Sequence, residues 1–474
     1  MSREMKESGI DWIGSIPKSW NTIKFKYLHG GMNTGEGIDK NFWSNEPTDR
    51  LFYTAGINPI RTNYEDFPEW KYTKENDLLL ARNGTPYIYI PYPNACYTDH
   101  IIRATMNASV NKRFVQYGLQ CSIASVVVDS VSLATWSASL WNKQVIAWPS
   151  AEEQERIVSF LDEKCAHIDS VLEKTRNSIE EYKKLKQAVI TQAVTKGIKN
   201  DCRVKSSKIE WIDKIPEKWK EIRIKNIFDF REEKNYIPLE EVNLLSLYTD
   251  LGVIQHSDLE KTVGNKAVNA DGYKKVYEND IIVNIILCWM GAIGISKYDG
   301  VTSPAYDVYC PRENVDSKFY HYYFRTTGFA SDCYKRGRGI MAMRWRTYSD
   351  QFRDIKVVYP PLREQKEIVQ YLDEKCNQIE NLVKKKKKFI EELEFYKKSL
   401  IYEYALNQPG YSMKELKEIK ESYSYRIGRL ITFLPRKILG GIQSVKDDGV
   451  VYTFKLGCKK IIGGISWLKD RRSR

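Results

Sequence analysis

The longest apolar stretch, Ile281 to Ile295, is only 15 residues and is interrupted by Asn284. It is too short to cross a bilayer as a helix. Met1 to Ser8 is polar, which predicts no secretory leader. There are nine cysteines without a C-x-x-C pair, and five histidines without an i,i+4 pair. That pattern predicts reduced thiols in a cytoplasmic protein and no metal site. No G-x-x-x-x-G-K-[ST] segment is present, so phosphate-loop ATP chemistry is not encoded. No Asn/Asp-Pro-Pro-aromatic motif occurs, since Pro360-Pro361 stands between Tyr359 and Leu362. Nor is there a glycine-rich strand-to-helix turn suited to S-adenosylmethionine. Cofactor-binding and catalytic residues are therefore expected to be absent, and an enzyme would need a divergent site.

The formal charge of +13 is unevenly spread. Residues 407–474 hold 15 Lys+Arg against 6 Asp+Glu, which leaves only +4 for the preceding 406 residues. Global charge is thus weak evidence for nucleic acid, and local clusters must carry that argument. A length of 474 residues exceeds what one core supports and predicts several domains.

What is present is a duplication. GIDWIGSIPKSW (9–20) returns as KIEWIDKIPEKW (208–219), identical at six of twelve positions. EQERIVSFLDEKC (153–165) returns as EQKEIVQYLDEKC (364–376), identical at nine of thirteen. KENDLLL (74–80) has a weaker echo in YENDIIV (277–283). The order is kept while the offset grows from 199 to 211, so two copies of one unit differ in their middles.

Each copy ends in a long helical pattern. Val158, Leu161, Ile168, Leu172 and Ile179 fall on one heptad seam, and Val369, Leu372, Ile379, Val383, Ile390 and Leu393 on its equivalent. Neither 151–196 nor 363–406 contains Gly or Pro. Such a seam predicts a coiled coil, with two amphipathic helices packed on separate domains as the alternative. Prolines precede both helices, and Gly197 suits the end of the first. In the middles, 88–90, 125–128 and 281–286 read as strands, and Asn83-Gly84, Asp271-Gly272 and Asp299-Gly300 as turns. The predicted division is 1–150, a helix over 151–197, a linker over 198–210, a second domain over 211–361, a helix over 362–406 and a basic extension over 407–474. Each domain is expected to be α/β.

The Trp-Ile-x-x-Ile-Pro-x-x-Trp segments, the proline-bounded E-Q-x-x-I-V-x-x-L-D-E-K helix starts and the divergent middles together resemble a type I restriction–modification specificity subunit. The resemblance covers residues 9–406. It implies two α/β target recognition domains in pseudo-twofold arrangement, joined by two long antiparallel coiled-coil helices. It implies a non-catalytic subunit that reads the two halves of a split double-stranded DNA target. It further implies two methyltransferase subunits and restriction subunits as partners, with S-adenosylmethionine, ATP and Mg on those subunits, and no membrane.

The resemblance does not assign DNA contacts residue by residue, but basic groups beside Asn and aromatics suit phosphates and base edges. Candidates are Arg82, Asn83, Arg103, Lys112 and Arg113 in the first middle. In the second they are Lys335, Arg336, Arg338, Arg344 and Arg346, with Trp345 interleaved. Gly337 and Gly339 are read as letting the backbone approach a phosphate. A solvated basic face is the alternative for any one of these residues. Asp162-Glu163-Lys164 and Asp373-Glu374-Lys375 are expected to form surface ion pairs or subunit contacts. A self-sufficient DNA-modifying enzyme and a coiled-coil protein adaptor remain the rival classes.

Overall fold

A computed structural model describes residues 4–83, 86–126, 135–199, 202–249, 252–258, 269–339 and 345–406. Among them are helices α1 (Lys112–Val126), α2 (Ala138–Lys143), α3 (Ala151–Lys196), α4 (Ser317–Phe324), α5 (Thr327–Arg336), α6 (Ser349–Arg353) and α7 (Leu362–Leu406). The chain divides into unit 1, Met1–Ile168 with Leu393–Arg474, and unit 2, Asp169–Glu392.

Unit 1 is organised by an antiparallel sheet in the order His29–Thr34, Ile101–Met106, Asp77–Ala81, Ile88–Tyr89. All five residues of Asp77–Ala81 are buried, and their alternation divides them between two cores. Leu78 and Leu80 pack with Val115 and Leu119 of α1 and with Trp136 and Trp141. Leu79 and Ala81 face Phe52, Phe67 and Tyr97. A continuous apolar run suits a strand covered on both faces. Asp77 opens this strand by accepting from the Lys74 amide at 2.7 Å and the Thr105 hydroxyl at 2.7 Å.

Unit 2 repeats the sheet as Phe228–Phe230, Tyr306–Pro311, Ile281–Asn284, Ile293–Ile295. Ile281 and Val283 pack with Phe319, Tyr320 and Tyr323 of α4, while Ile282 faces Leu245, Leu247 and Val253. Asp280 stands where Asp77 does. It accepts from the Tyr277 amide at 2.9 Å and from the Arg231 guanidinium at 2.9 and 3.1 Å. The weak END echo in the sequence is thus a repeated strand-opening turn.

Two expectations need correction. Ser125 and Val126 end α1 rather than starting a strand, and 127–128 lie outside the described residues. There α1 continues an amphipathic pattern from Lys112, and β-branched residues at its end do not outweigh it. The 198–210 stretch is also more than a linker: Val204–Ser206 pairs with Lys214–Pro216, as Met5–Glu7 pairs with Ser15–Pro17.

The helices α3 and α7 are unbroken over 46 and 45 residues. Gln154 Nε2 donates to the Pro149 carbonyl at 3.0 Å, and Gln365 Nε2 to the Pro360 carbonyl at 2.8 Å, so both starts are closed alike. Gly197, at φ +76°, ends α3 in the left-handed conformation that favours glycine. Within unit 1, Phe160 stacks on Tyr404 with centroids 4.3 Å apart. Within unit 2, Lys186 pairs with Glu380 at 2.6 Å and Lys386 lies over Tyr182. Early α3 therefore meets late α7 and late α3 meets early α7, an antiparallel pairing. Leu161, Ile168, Leu172, Ile179, Val369, Leu372, Ile379 and Leu393 are buried, and Val158, Val383 and Ile390 partly so. Val369, Leu372 and Cys376 also join the core of unit 2 beside Ile190, Ala193 and Val194 of α3. The helices are thus both paired and built into a domain.

Candidate nucleic-acid interface

Each unit fastens to its following helix by the same contacts. Trp20 Nε1 donates to Glu153 at 2.8 Å, and Trp219 Nε1 to Glu364 at 2.7 Å. Tyr117 donates to Asp162 at 2.6 Å beside Arg113, and Tyr322 to Asp373 at 2.8 Å beside Lys318. Burial, with carboxylate acceptance as the smaller cause, pushes both tyrosine hydroxyls well above the usual phenol range. The Asp-Glu-Lys segments therefore contribute a buttress within each unit, not only the surface contacts expected of them.

The divergent loops lie at the far end of the central hairpin. In unit 1 the strand Asp77–Ala81 runs into Arg82 and Asn83, and the Arg82 carbonyl accepts from the Trp136 amide at 2.7 Å. In unit 2 the equivalent Ile285 carbonyl accepts from the Thr347 amide at 2.9 Å. A second segment thus docks onto each hairpin loop at the same place, while the side chains presented there differ.

The five candidates of unit 1 do not form one cluster. Arg82 is exposed, and the Asn83 amide donates to His100 Nδ1 at 2.7 Å, so these two sit together on the loop. Arg103 is 6% exposed. It donates to the Tyr72 carbonyl at 2.8 Å and lies 3.8 Å from Asp77, over the Tyr97 ring. Lys112 is held by the backbone and carboxylate of Glu75. Arg113 is spent on Asp162 at 2.7 Å and Gln116 at 2.7 Å. Arg103 is a core residue, and Lys112 and Arg113 hold elements of the unit together, because a guanidinium or ammonium inside a fold needs its partners there.

In unit 2 the candidates do gather. Arg338 and Arg346 exchange both backbone hydrogen bonds, at 2.8 and 3.0 Å, which brings these two residues side by side. Both are exposed or nearly so, as is Arg336 at the end of α5. Lys335 pairs with Glu210 at 2.7 Å. Arg344 lies outside the described residues. Trp345 stacks on Tyr334 with centroids 5.1 Å apart, and its Nε1 donates to the Tyr334 carbonyl at 3.0 Å. Trp289 also packs against Tyr334, at 5.5 Å. Gly337 serves this stack: a Cβ there would overlap Trp345 Nε1. The glycine thus makes room for an indole rather than for the expected approach of a phosphate.

The hairpin tip of unit 2, Ile285 to Ala292, is a feature that sequence reasoning missed. Leu287 is 38% exposed and Met290 53%. The signal was there: the apolar run Ile281–Ile295 is too long for one strand, and Gly291 punctuates it. Among the described residues no group of three His, Cys, Asp or Glu could hold a metal, and no helix is long and apolar enough to cross a membrane.

Residues 216–392 match the model of the type I restriction modification DNA specificity domain. They contain the hairpin tip, the Arg338–Arg346 bridge and the start of α7. This part of the chain is similar to the DNA specificity domain of type I restriction–modification systems. Over 322 residues it is 24% identical to the type I restriction enzyme EcoBI specificity subunit of Escherichia coli. That alignment covers 63% of this chain and 66% of the relative, so the matched stretch spans just under two thirds of the relative's length. A chain solved in work on the assembly and conformational transition of the type I restriction–modification system shares the fold at a TM-score of 0.58. That likeness is at 12% identity, covering 82% of this chain and 98% of that one.

Proposed function

We propose that this chain is the sequence-specific DNA-recognition subunit of a type I restriction–modification complex, reading one half of a bipartite double-stranded target with each unit. The observation that carries this is the pairing of identical joints with different loops. Trp20–Glu153 and Trp219–Glu364 fasten both units alike, while the hairpin ends present Arg82, Asn83 and His100 in one and Leu287, Met290 and three arginines in the other. A common frame carrying two reading surfaces is what a split target of two unlike halves requires.

The contacts we assign to DNA are Arg82 and Asn83 in unit 1 and Arg336, Arg338, Arg344 and Arg346 in unit 2. Lys112 and Lys335, both already paired, are secondary. Arginine suits guanine edges and phosphates, asparagine suits adenine. The chain itself is non-catalytic. Two methyltransferase subunits and the restriction subunits assemble on it in the cytoplasm, bringing S-adenosylmethionine, ATP and Mg.

Methylome sequencing of host cells with and without this gene tests the reading. A bipartite adenine-methylated motif should vanish with the gene and return with it. An unchanged methylome, with the methyltransferase genes intact and expressed, would overturn it, as would methyl transfer by the pure chain.

A further inference from the structure

The tip of the unit 2 hairpin is an apolar turn held stiffly among cations. The Asn284 side chain accepts from the Ile286 amide at 3.0 Å and the Leu287 amide at 3.3 Å. The Leu287 carbonyl then accepts from the Met290 amide at 2.9 Å and the Ala292 amide at 3.1 Å. Trp289 Nε1 donates back to the Ile286 carbonyl at 2.9 Å, which locks its ring against the turn. Gly291, at φ +86°, completes the reversal. The rings of Trp289, Tyr334 and Trp345 form a continuous backing, and α5 carries Arg336 at its end. On this platform Leu287 and Met290 are left exposed.

Covering such a pair is favourable, because it removes apolar surface from water. Here the turn is cross-tied by its own hydrogen bonds, so the pair cannot collapse without breaking them. The exposed cations Arg336, Arg338 and Arg346 disfavour a bilayer core or a purely apolar protein groove as the natural cover. They favour a polyanion that itself offers an apolar interior, and stacked base pairs provide that. Leu and Met are among the residue types that enter base steps in DNA-bending proteins.

We propose that Leu287 and Met290 form a wedge that enters a base step of the duplex half-site bound by unit 2, unstacking it while Arg336, Arg338 and Arg346 hold the flanking phosphates. This rests on the DNA-recognition reading and adds a deformation term to it. Part of the specificity of this half-site would then come from how easily one step opens, with pyrimidine–purine steps favoured.

The test uses the full chain, with its methyltransferase subunits, and the duplex motif found by methylome sequencing. 2-Aminopurine is placed in turn at each position of the half-site. Wild-type protein should raise the fluorescence of one step several-fold, and Leu287→Ser with Met290→Ser should abolish that rise. A mismatch introduced at that step should tighten wild-type binding several-fold and leave the double variant unchanged. Both side chains are exposed, and retained far-ultraviolet circular dichroism with an unchanged melting curve will show that the variant folds. Specific binding by wild type with no fluorescent step anywhere would overturn the wedge while leaving DNA recognition standing. Absence of specific binding by wild type would instead overturn both. Loss of the methyltransferase subunits from the double variant would reassign the pair to a protein contact and sink the wedge.

Discussion

Trp20 donates its indole N–H to Glu153 across 133 residues of chain, at 2.8 Å, and Trp219 makes the same bond to Glu364 at 2.7 Å. Both tryptophans are essentially fully buried. In each copy this bond joins the first sequence motif to the second, so the two stretches that repeat best are two faces of one joint. Trp219→Phe keeps most of the packing but leaves the Glu364 carboxylate short of a donor. It should destabilise unit 2 by about 1–3 kcal/mol, while Glu364→Gln, which preserves an acceptor, should cost less. Urea unfolding of the two variants checks this. An unchanged unfolding midpoint for Trp219→Phe would mean that the hydrogen bond contributes nothing to the stability of unit 2.

Much of this was legible in the sequence, for reasons that differ by element. The helices were readable because period and the absence of Gly and Pro act over more than 40 residues, so α3 and α7 start where the prolines and Glu-Gln pairs said. The strand Ile281–Asn284 was readable from its β-branched run, whereas Ser125–Val126 misled, because a local β preference was outvoted by the helix already in progress. The candidate site was only half legible. Arg82, Arg103, Lys112 and Arg113 are near in sequence, but a strand reverses the chain between them and places Arg103 inside the sheet. Arg338 and Arg346 held together because a backbone bridge pairs them directly. Burial of a charge is a tertiary fact that no window of sequence reports.

That distinction predicts opposite behaviour for two sets of arginines. Changing Arg336, Arg338 and Arg346 to Ala should leave thermal stability nearly unchanged. It should flatten the log–log salt dependence of DNA binding by about 0.9 for each phosphate no longer neutralised. Fluorescence anisotropy across a salt series gives the slope. An unchanged slope would move the phosphate surface elsewhere in unit 2.

Gly337→Ala tests the aromatic backing directly. The added methyl would collide with the Trp345 indole, so the Tyr334 stack should open. Tryptophan fluorescence should shift to the red and DNA affinity should fall, although no charge is changed. A variant with wild-type emission and affinity would show that the stack is incidental to binding.

Acid stability should report His321. Burial, reinforced by Arg325, Lys318, Lys297 and Lys186, pushes its imidazole down to about 3, and its Nδ1 accepts from the Ile295 amide at 3.3 Å. The folded state thus keeps this histidine neutral, while the unfolded chain protonates it near pH 6.5. Its contribution is therefore full above about pH 6.5 and is lost progressively as pH falls toward 3, at on the order of 1 kcal/mol per pH unit. His321→Asn offers an uncharged acceptor to the same amide and does not titrate. Its stability should decline less steeply between about pH 6.5 and 4 than that of the wild type, the carboxylates being common to both.

Arg103→Ala supplies the converse of the loop arginines. The buried Asp77 would lose the cation 3.8 Å away, keeping only Lys74 and Thr105 as donors, and the Tyr72 carbonyl would lose its partner. Removing one member of a buried charge pair costs about 3–5 kcal/mol, and the two remaining donors place this case at the lower end. The salt slope of DNA binding by folded protein should not change, since a side chain 6% exposed neutralises no phosphate. Denaturant titration and the anisotropy series, run on one preparation, separate the two effects. A stable Arg103→Ala protein with a flattened slope would return this residue to the interface and overturn its assignment to the core.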